Sequence, residues 1–150
     1  MQVLVGDSMG RKRQVTHYDF ESKTERGAFT KICNDMQESK AWKELKLRQQ
    51  GLYLYLKSKF KKYSNQDTNQ NDISIPKKEA LTLYGDLRTF RDDIDELIDK
   101  GFIKQVVSGF NTRTANIYGF SNLWKDYGKD DFEIPKNDIR YIPIIYRKKK

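Results

Sequence analysis

Four segments of the sequence carry side chains that suit contacts with phosphates and base edges. Lysine and arginine neutralise phosphates, while arginine, asparagine and threonine donate hydrogen bonds to base edges or to the backbone of a nucleic acid. The ten candidates are Lys46, Arg48, Lys77, Lys78, Arg88, Thr89, Arg91, Asn111, Thr112 and Arg113. This chemistry predicts binding to nucleic acid if the fold brings the segments to one side of the molecule.

The charge of the chain favours a polyanionic partner. Its 150 residues contain 29 Lys and Arg against 21 Asp and Glu, a net charge of +8. A basic protein attracts nucleic acid or an anionic membrane surface, although the charge could also serve solubility alone. The length suits one domain, and an aromatic content of 13% indicates a folded core rather than a disordered chain.

We expect neither an enzyme nor a bound cofactor. The single histidine, His17, and the single cysteine, Cys33, are too few for a His/Cys metal site or a Cys-His catalytic pair. Counting alone leaves a nucleophilic tyrosine open among the nine tyrosines. However, no histidine cluster is present to hold the metal that such an enzyme would use.

Composition also predicts a cytoplasmic protein with no membrane partner. No run of residues approaches the ~18 apolar positions of a membrane span. One cysteine allows no intramolecular disulfide, which suits a reducing compartment. In residues 1–14 the apolar stretch precedes the basic one, the reverse of their order in a signal peptide.

The segment 46–62 is predicted to be an amphipathic helix. The apolar side chains that share one face are Leu52, Tyr55, Leu56, Phe60 and Tyr63. The segment has six cations and no acidic residue, which indicates either a solvated outer face or a helix that faces phosphates. A shorter helix before it can be capped by Ser39 and buries Trp42 and Leu45.

Two helices separated by a tight turn follow a short strand at 72–75. Pro76 fits the first position of the helix 76–84, and Gly85 ends it. Asp86 can cap the next helix, 87–100, and Gly101 fits its left-handed end. The side chains expected to face the core are Ala80, Leu81 and Tyr84 in the first helix and Leu87, Phe90, Ile94, Leu97 and Ile98 in the second.

The helix 87–100 is acidic, so its carboxylates must avoid phosphate if the helix binds nucleic acid. A recognition helix contacts bases mainly with its first turn or two, where Arg88 and Thr89 lie. Asp92 could accept a hydrogen bond from a cytosine amino group or pair with Arg88 one turn earlier. We expect the other carboxylates to lie away from phosphate; these are Asp93, Asp95, Glu96 and Asp99.

A β-hairpin is predicted after Gly101. Its strands are 102–107 and 114–120, and its turn at 108–113 contains a glycine. The tip residues could contact a minor groove or phosphates, although turns favour asparagine and threonine in any case. These tip residues are Asn111, Thr112 and Arg113, and Ser121 is expected to cap one further helical turn after the hairpin.

The order helix, strand, helix, helix, strand, loop, strand predicts a winged helix. This α+β fold consists of a three-helix bundle with a helix-turn-helix, closed by a small antiparallel sheet with a wing. The helix 87–100 would enter the major groove by its first turn, and Lys77 and Lys78 would anchor a phosphate at a helix N-terminus. We expect an N-terminal extension at 1–27, the winged-helix domain at 28–128 and a basic C-terminal tail at 129–150.

Several segments resemble winged helix-turn-helix proteins carried by plasmids, phages and conjugative elements of Gram-positive bacteria. They are FTKICNDMQESKAWKELKLRQQGLYLYL, ISIPKKEALTLYG and LRTFRDDIDELIDKGFI, followed by LWKDYG. The resemblance covers roughly 28–128, and its most specific part is the pattern at 89–103. It implies binding of double-stranded DNA in replication initiation or at a transfer origin.

Other functions stay open beside this one. The chain could be a transcriptional regulator of the same fold, or a protein-interaction module in a replication or transfer complex. Convergence of Lys77, Lys78, Arg88 and Arg113 on one basic face would favour DNA. In the tail, the apolar residues 141–145 could pair with residues 2–5 of the same chain or with a second copy to form a homodimer. The terminal RKKK is expected to add nonspecific affinity for phosphates.

Overall fold

The structure, a computed structural model, describes residues 29–142. Its helices are α1 (Asn34–Glu38), α2 (Lys40–Glu44), α3 (Leu47–Ser58), α4 (Lys77–Tyr84) and α5 (Leu87–Asp99). The strands are β1 (Ile73–Ser74), β2 (Ile103–Val107) and β3 (Ile117–Phe120), and 3₁₀ helices follow at Leu123–Asp126 and Lys136–Asp138. The predicted α+β class is confirmed, and the order from α3 to β3 is compatible with a winged helix.

The central strand of the three-stranded antiparallel sheet is β3, and the strand order is β1-β3-β2. Tyr118 in β3 lies opposite Ile73 of β1 and Gln105 of β2. β2 and β3 therefore form the hairpin that the sequence predicts after Gly101. The register shifts between Gln105 and Val107, which is the kind of irregularity that increases strand twist next to a loop.

The core is centred on α5 and on an aromatic cluster beside it. The residues of the predicted α5 stripe that are fully buried are Phe90, Ile94, Leu97 and Ile98. Phe102, three residues after the end of α5, stacks on Trp124 with ring centroids 6.1 Å apart. The ring of Tyr53 in α3 lies 5.3 Å from the ring of Phe102, measured between centroids. Burial of these large side chains holds the sheet and the 3₁₀ helix against the helices.

Two predicted N-caps are confirmed at atomic level. The Ser39 hydroxyl accepts a hydrogen bond from the Trp42 amide at 3.2 Å, and the Asp86 carboxylate accepts one from the Thr89 amide at 2.8 Å. The bond from Thr89 lowers the pKa of Asp86. Each cap satisfies a backbone donor that the helix leaves without a partner, so both helices begin where the sequence predicts.

The predicted end of the first long helix is wrong, because α3 stops at Ser58 rather than at 62. Asn69 explains the early stop. Its side chain accepts from the amide of Lys61 at 2.6 Å and donates to the carbonyl of Lys59 at 2.8 Å, which turns the chain away from the helix axis. Phe60 therefore lies beyond the helix and is partly exposed to solvent.

Three smaller predictions also need correction. Pro76 is the N-cap of α4 rather than its first helical residue. Leu81, predicted to face the core, is 38% exposed, because α4 buries only a narrow strip around Ala80. Asn122, not Ser121, precedes the 3₁₀ helix at Leu123–Asp126, although the Ser121 hydroxyl accepts from the Leu123 amide at 3.3 Å.

Residues of the predicted C-terminal tail pack against the domain within the described range. Arg140 forms an ion pair with Asp95 of α5, and the amide of Tyr141 donates to the side-chain oxygen of Gln105 in β2. Neither Tyr141 nor Ile142 is in a strand. The predicted pairing of 141–145 with 2–5 lies outside the described residues, as do the terminal RKKK and His17.

Gly101 is predicted to tolerate a side chain much less well than Gly85. Gly101 and Gly85 both have left-handed backbones, with φ of 81° and 77°. A Cβ at Gly101 would lie 2.5 Å from the amide nitrogen of Trp124, whereas a Cβ at Gly85 meets nothing within 4 Å. Gly85→Ala should lower the free energy of unfolding by roughly 1–2 kcal/mol through backbone strain alone.

Gly101→Ala adds a steric clash to the same strain, so we expect a loss of roughly 3 kcal/mol or more. Urea unfolding followed by circular dichroism measures both variants, with Gly85→Ala as the matched control. Equal losses for the two variants would contradict the close approach of Gly101 to the 3₁₀ helix.

Candidate nucleic-acid interface

α4 and α5 form the helix pair that would carry a nucleic-acid contact. Gly85 turns the chain between them, and the rings of Tyr84 and Phe90 pack edge to face with centroids 5.5 Å apart. This packing leaves the first turn of α5 at the surface. Arg88 and Arg91 are exposed there, and neither has an ion pair in the described part of the chain.

The wing, residues 108–113, is held in shape by its own hydrogen bonds. The amide of Gly109 donates to the side chain of Asn116 at 2.9 Å, and the Thr114 amide donates to the Gly109 carbonyl at 3.0 Å. The Thr112 hydroxyl lies 2.7 Å from that of Thr114, so it serves the loop itself. Arg113 has a left-handed backbone with φ of 54°.

Two of the three predicted wing contacts are therefore available to a ligand. Asn111 and Arg113 are exposed, and their side chains have no hydrogen bond within residues 29–142. Thr112 has its hydroxyl engaged by Gly109 and Thr114. The structure thus separates a structural residue of the wing from two residues that can donate outward.

Lys77 and Lys78 lie exposed in the first turn of α4. The neighbouring acid, Glu79, is already bound by Lys59 at 2.6 Å and by the hydroxyl of Tyr55. The bond from Lys59, followed by that from Tyr55, lowers the pKa of Glu79. Lys77 and Lys78 form no ion pair in the described residues, so their charges are free to meet an anion next to the helix N-terminus.

Arg48, one of the predicted phosphate contacts, has a half-exposed side chain whose guanidinium is bound by the buried carboxylate of Asp93. Its Nε and Nη2 donate to the two carboxylate oxygens of Asp93 at 2.5 and 2.9 Å. The Gln49 amide and the Tyr84 hydroxyl donate to the same carboxylate at 3.2 and 2.8 Å. We call these four residues the Asp93 network.

The Asp93 network joins three helices around one buried carboxylate. Arg48 and Gln49 belong to α3, Tyr84 to α4 and Asp93 to α5. The Gln49 side chain also accepts from the amide of Lys46 at 2.9 Å, which fixes the start of α3 and leaves the lysine side chain in solvent. The network therefore sets the position of α5 relative to both other helices.

Electrostatics keeps the buried carboxylate ionised. Burial alone would raise the pKa of Asp93, but the bonds from Arg48, Tyr84 and Gln49 outweigh it and hold the pKa below the usual 3.8. Burial and the bond to Asp93 raise the pKa of the Tyr84 hydroxyl. Four hydrogen bonds are donated to the two oxygens of this carboxylate, so its hydrogen-bonding capacity is satisfied although it is buried.

Three of the five acidic residues of α5 form ion pairs within the protein, so much of the negative charge that would repel a nucleic acid is compensated. Asp93 is in the network, Asp95 is bound by Arg140, and Glu96 pairs with Lys100 at 2.8 Å. Asp95 stands one turn after Arg91, and its side chain is 33% exposed.

Asp92 and Asp99 are the exposed acids of α5 without an ion pair in residues 29–142. Asp92 lies one turn after Arg88, but no ion pair joins them. Burial, with the neighbouring charges of Glu96 and Asp95, raises the pKa of Asp99. Free negative charge on α5 is thus found beyond its first turn, while the first turn carries Arg88.

Sequence reasoning missed Arg140, which pairs with Asp95 of α5. Burial raises the pKa of the nearby Tyr118 hydroxyl, while the charges of Arg140 and Arg91 lower it. Arg140 and Asp95 are 45 residues apart, so no helical spacing could pair them. The signal that the sequence offers is the position of Arg140 directly before the apolar residues 141–145.

Within residues 29–142, no group of three or more histidine, cysteine or carboxylate side chains is arranged to hold a metal ion. No helix of that range has the length and hydropathy to cross a bilayer.

The Asp93 network makes a testable prediction about stability. Asp93→Asn removes the charge that Arg48, Tyr84 and Gln49 surround, and it places an amide donor among donors. We expect the free energy of unfolding to fall by roughly 2–4 kcal/mol near pH 7. Asp92→Asn, an exposed acid one residue earlier, is the matched control and should change stability little.

The difference between wild type and Asp93→Asn should depend on pH. The folded-state pKa of Asp93 lies below 3.8, so its contribution is present above that value and is lost as the pH falls through the folded pKa. Urea unfolding at about pH 7 and about pH 2.5 measures the difference. A difference that persists unchanged in acid would contradict the network.

Comparisons of the chain with protein-family models, with curated proteins and with solved structures found no match. The resemblance to winged helix-turn-helix proteins of mobile elements therefore remains a prediction from the sequence.

Proposed function

We propose that the protein binds double-stranded DNA through the first turns of α5 and through the wing. The observation that carries the proposal is the exposed pair Arg88 and Arg91, free of acidic partners in the described chain, on a helix followed at once by a β-hairpin. Arginine is the residue that most often reads guanine in the major groove. The hairpin loop offers Asn111 and Arg113 to the neighbouring backbone or minor groove.

The dimensions of α5 agree with insertion by its N-terminal end. Its 13 residues span ~20 Å, so residues 87–91 account for only ~7.5 Å at one end. A recognition helix contacts base edges with that end, where the helix dipole is positive. Asp99, near the other end, would then lie outside the groove.

α4 supplies the phosphate anchor in this arrangement. Its eight residues span ~12 Å, and Lys77 and Lys78 lie in its first turn, at the end of α4 away from Gly85. Cations at that end suit phosphates at the rim of the groove that α5 enters. Lys46, with its side chain in solvent at the start of α3, is a further candidate for a phosphate.

The biological role that we propose is replication or conjugative transfer of a mobile element, with transcriptional regulation as the alternative. This part rests on the sequence resemblance. A second candidate function, protein interaction, is favoured by exposed apolar side chains on α4, Leu81 and Leu83, beside the two lysines. Such a surface suits a partner protein in a replication or transfer complex.

Arg88 should carry sequence specificity. Selection from a random duplex pool first identifies the preferred site, and Arg88→Ala should then weaken binding to it by roughly 1–3 kcal/mol while affecting random duplex much less. Fluorescence anisotropy measures both affinities. Lys43→Ala is the matched control, since Lys43 is an exposed cation on α2 without an ion pair in the described residues. Equal losses for both variants would contradict readout by α5.

Lys77 and Lys78 should contribute phosphate contacts that are independent of sequence. In the double variant Lys77→Gln/Lys78→Gln, the slope of log K against log salt concentration should become shallower by about 1.8, which corresponds to two phosphates. The loss should be similar for the selected site and for random duplex. An unchanged slope would show that α4 does not contact the backbone and would favour the protein-interaction candidate for this helix.

A further inference from the structure

The C-terminal segment, residues 136–142, crosses the surface between α5 and the wing. Arg140 donates through Nε and Nη2 to the two oxygens of Asp95, each at 2.8 Å. The two side chains are only 15% and 33% exposed, so the pair is shielded more than an ordinary surface ion pair. This bidentate geometry fixes the guanidinium against the middle of α5.

Two further contacts hold the segment beside β2 and the wing. The Tyr141 amide donates to Oε1 of Gln105 at 2.5 Å, and the Tyr141 ring packs against Phe110 of the wing with centroids 6.0 Å apart. Gln105 is buried, and its Nε2 has no partner in the described chain. The segment is thus attached to β2 and to two elements that the proposed function brings to DNA, α5 and the wing.

The charge of this part of the chain is the second observation. Residues 139–150 contain Arg140, Arg147 and the lysines 148–150, and they contain no acid. Of these cations, Arg140 is the one that the described residues place against α5, where it pairs with Asp95. The bond to Asp95 raises the pKa of Arg140, and the charge of Asp92, one turn after Arg88, adds to this rise. The positive charge of this segment therefore compensates negative charge on α5.

We infer that Arg140 is a positioning residue of the DNA interface, which neutralises Asp95 and thereby makes the surface between α5 and the wing compatible with phosphate. The inference rests on the proposed function. Without Arg140, the charge of Asp95 would face the duplex one turn after Arg91, and like charges at such range repel. Both donors of Arg140 that form hydrogen bonds point to Asp95, so the guanidinium acts through the carboxylate.

A double-mutant cycle on this pair tests the inference through duplex affinity. The variants are Arg140→Gln, Asp95→Asn and the double variant, measured by fluorescence anisotropy on the selected duplex. Arg140→Gln should weaken binding roughly fivefold, the effect of one unscreened charge close to a phosphate in water. Asp95→Asn should bind at least as tightly as wild type. The double variant should recover to within about twofold of wild type, because the charge that Arg140 compensates is gone.

The alternatives give different results. If the double variant stays as weak as Arg140→Gln, Arg140 contacts DNA directly and the inference is overturned. If Arg140→Gln binds more tightly, the segment shields the interface, which also overturns it. If wild type binds and Arg140→Gln binds with the same affinity, the inference about Arg140 is overturned but the proposed function stands. If wild type binds no duplex at low salt, both the inference and the proposed function are overturned.

A second ion pair of the chain provides the matched control. Lys129 and Asp126 pair at 2.6 Å on the exposed surface after the hairpin, and within residues 29–142 neither side chain forms a hydrogen bond or an ion pair with α5 or the wing. The cycle Lys129→Gln and Asp126→Asn should leave duplex affinity within about twofold of wild type. Urea unfolding of each variant separates a loss of affinity from a loss of fold. Arg140→Lys, which keeps the charge, should retain most of the affinity if neutralisation is the mechanism.

Discussion

The ionised carboxylate of Asp93 is the constraint on which the arrangement of helices depends. A buried charge is tolerated only when donors surround it, and here those donors come from α3 and α4. The three helices must therefore meet at one point and in one register. Because Asp93 faces inward, the side chains of α5 on the opposite side, including Arg88, must face solvent. The candidate interface is thus a consequence of a core interaction.

The same constraint explains how an acidic helix can belong to a basic interface. The carboxylates of α5 do different work according to their position: Asp93 joins helices, Asp95 holds Arg140, and Glu96 holds Lys100. Counting charges along the helix treats these residues as equivalent, whereas most of their charge is compensated within the fold. The exposed arginines near the N-terminus of α5 have no ion-pair partner among residues 29–142. This difference between the two ends of the helix supports our proposal that α5 enters the groove by its N-terminal end.

The sequence predicted what local rules determine. Capping by Ser39 and Asp86, the left-handed Gly101 and the apolar stripe of α5 depend on residues within a turn or two, and the structure confirms them. It could not predict contacts between distant segments. The ion pair of Arg48 with Asp93 could not be predicted, because the two residues lie 45 positions apart in the sequence. The hydrogen bonds by which Asn69 ends α3 come from a loop in which the sequence shows only polar residues. The hairpin was predicted correctly, but β3 begins at Ile117 rather than at 114, and which side chains of the loop form hydrogen bonds depends on the loop geometry.

The most direct test of the account is an NMR titration of the isotope-labelled protein with a random duplex at low salt. We expect amide shifts concentrated at residues 87–91, at the wing and at the start of α4, with little change around Lys43. The shifts should disappear as salt is raised, since phosphate contacts depend on counterion release. An absence of shifts at low salt, or a response centred on α2, would contradict a DNA interface built on α5.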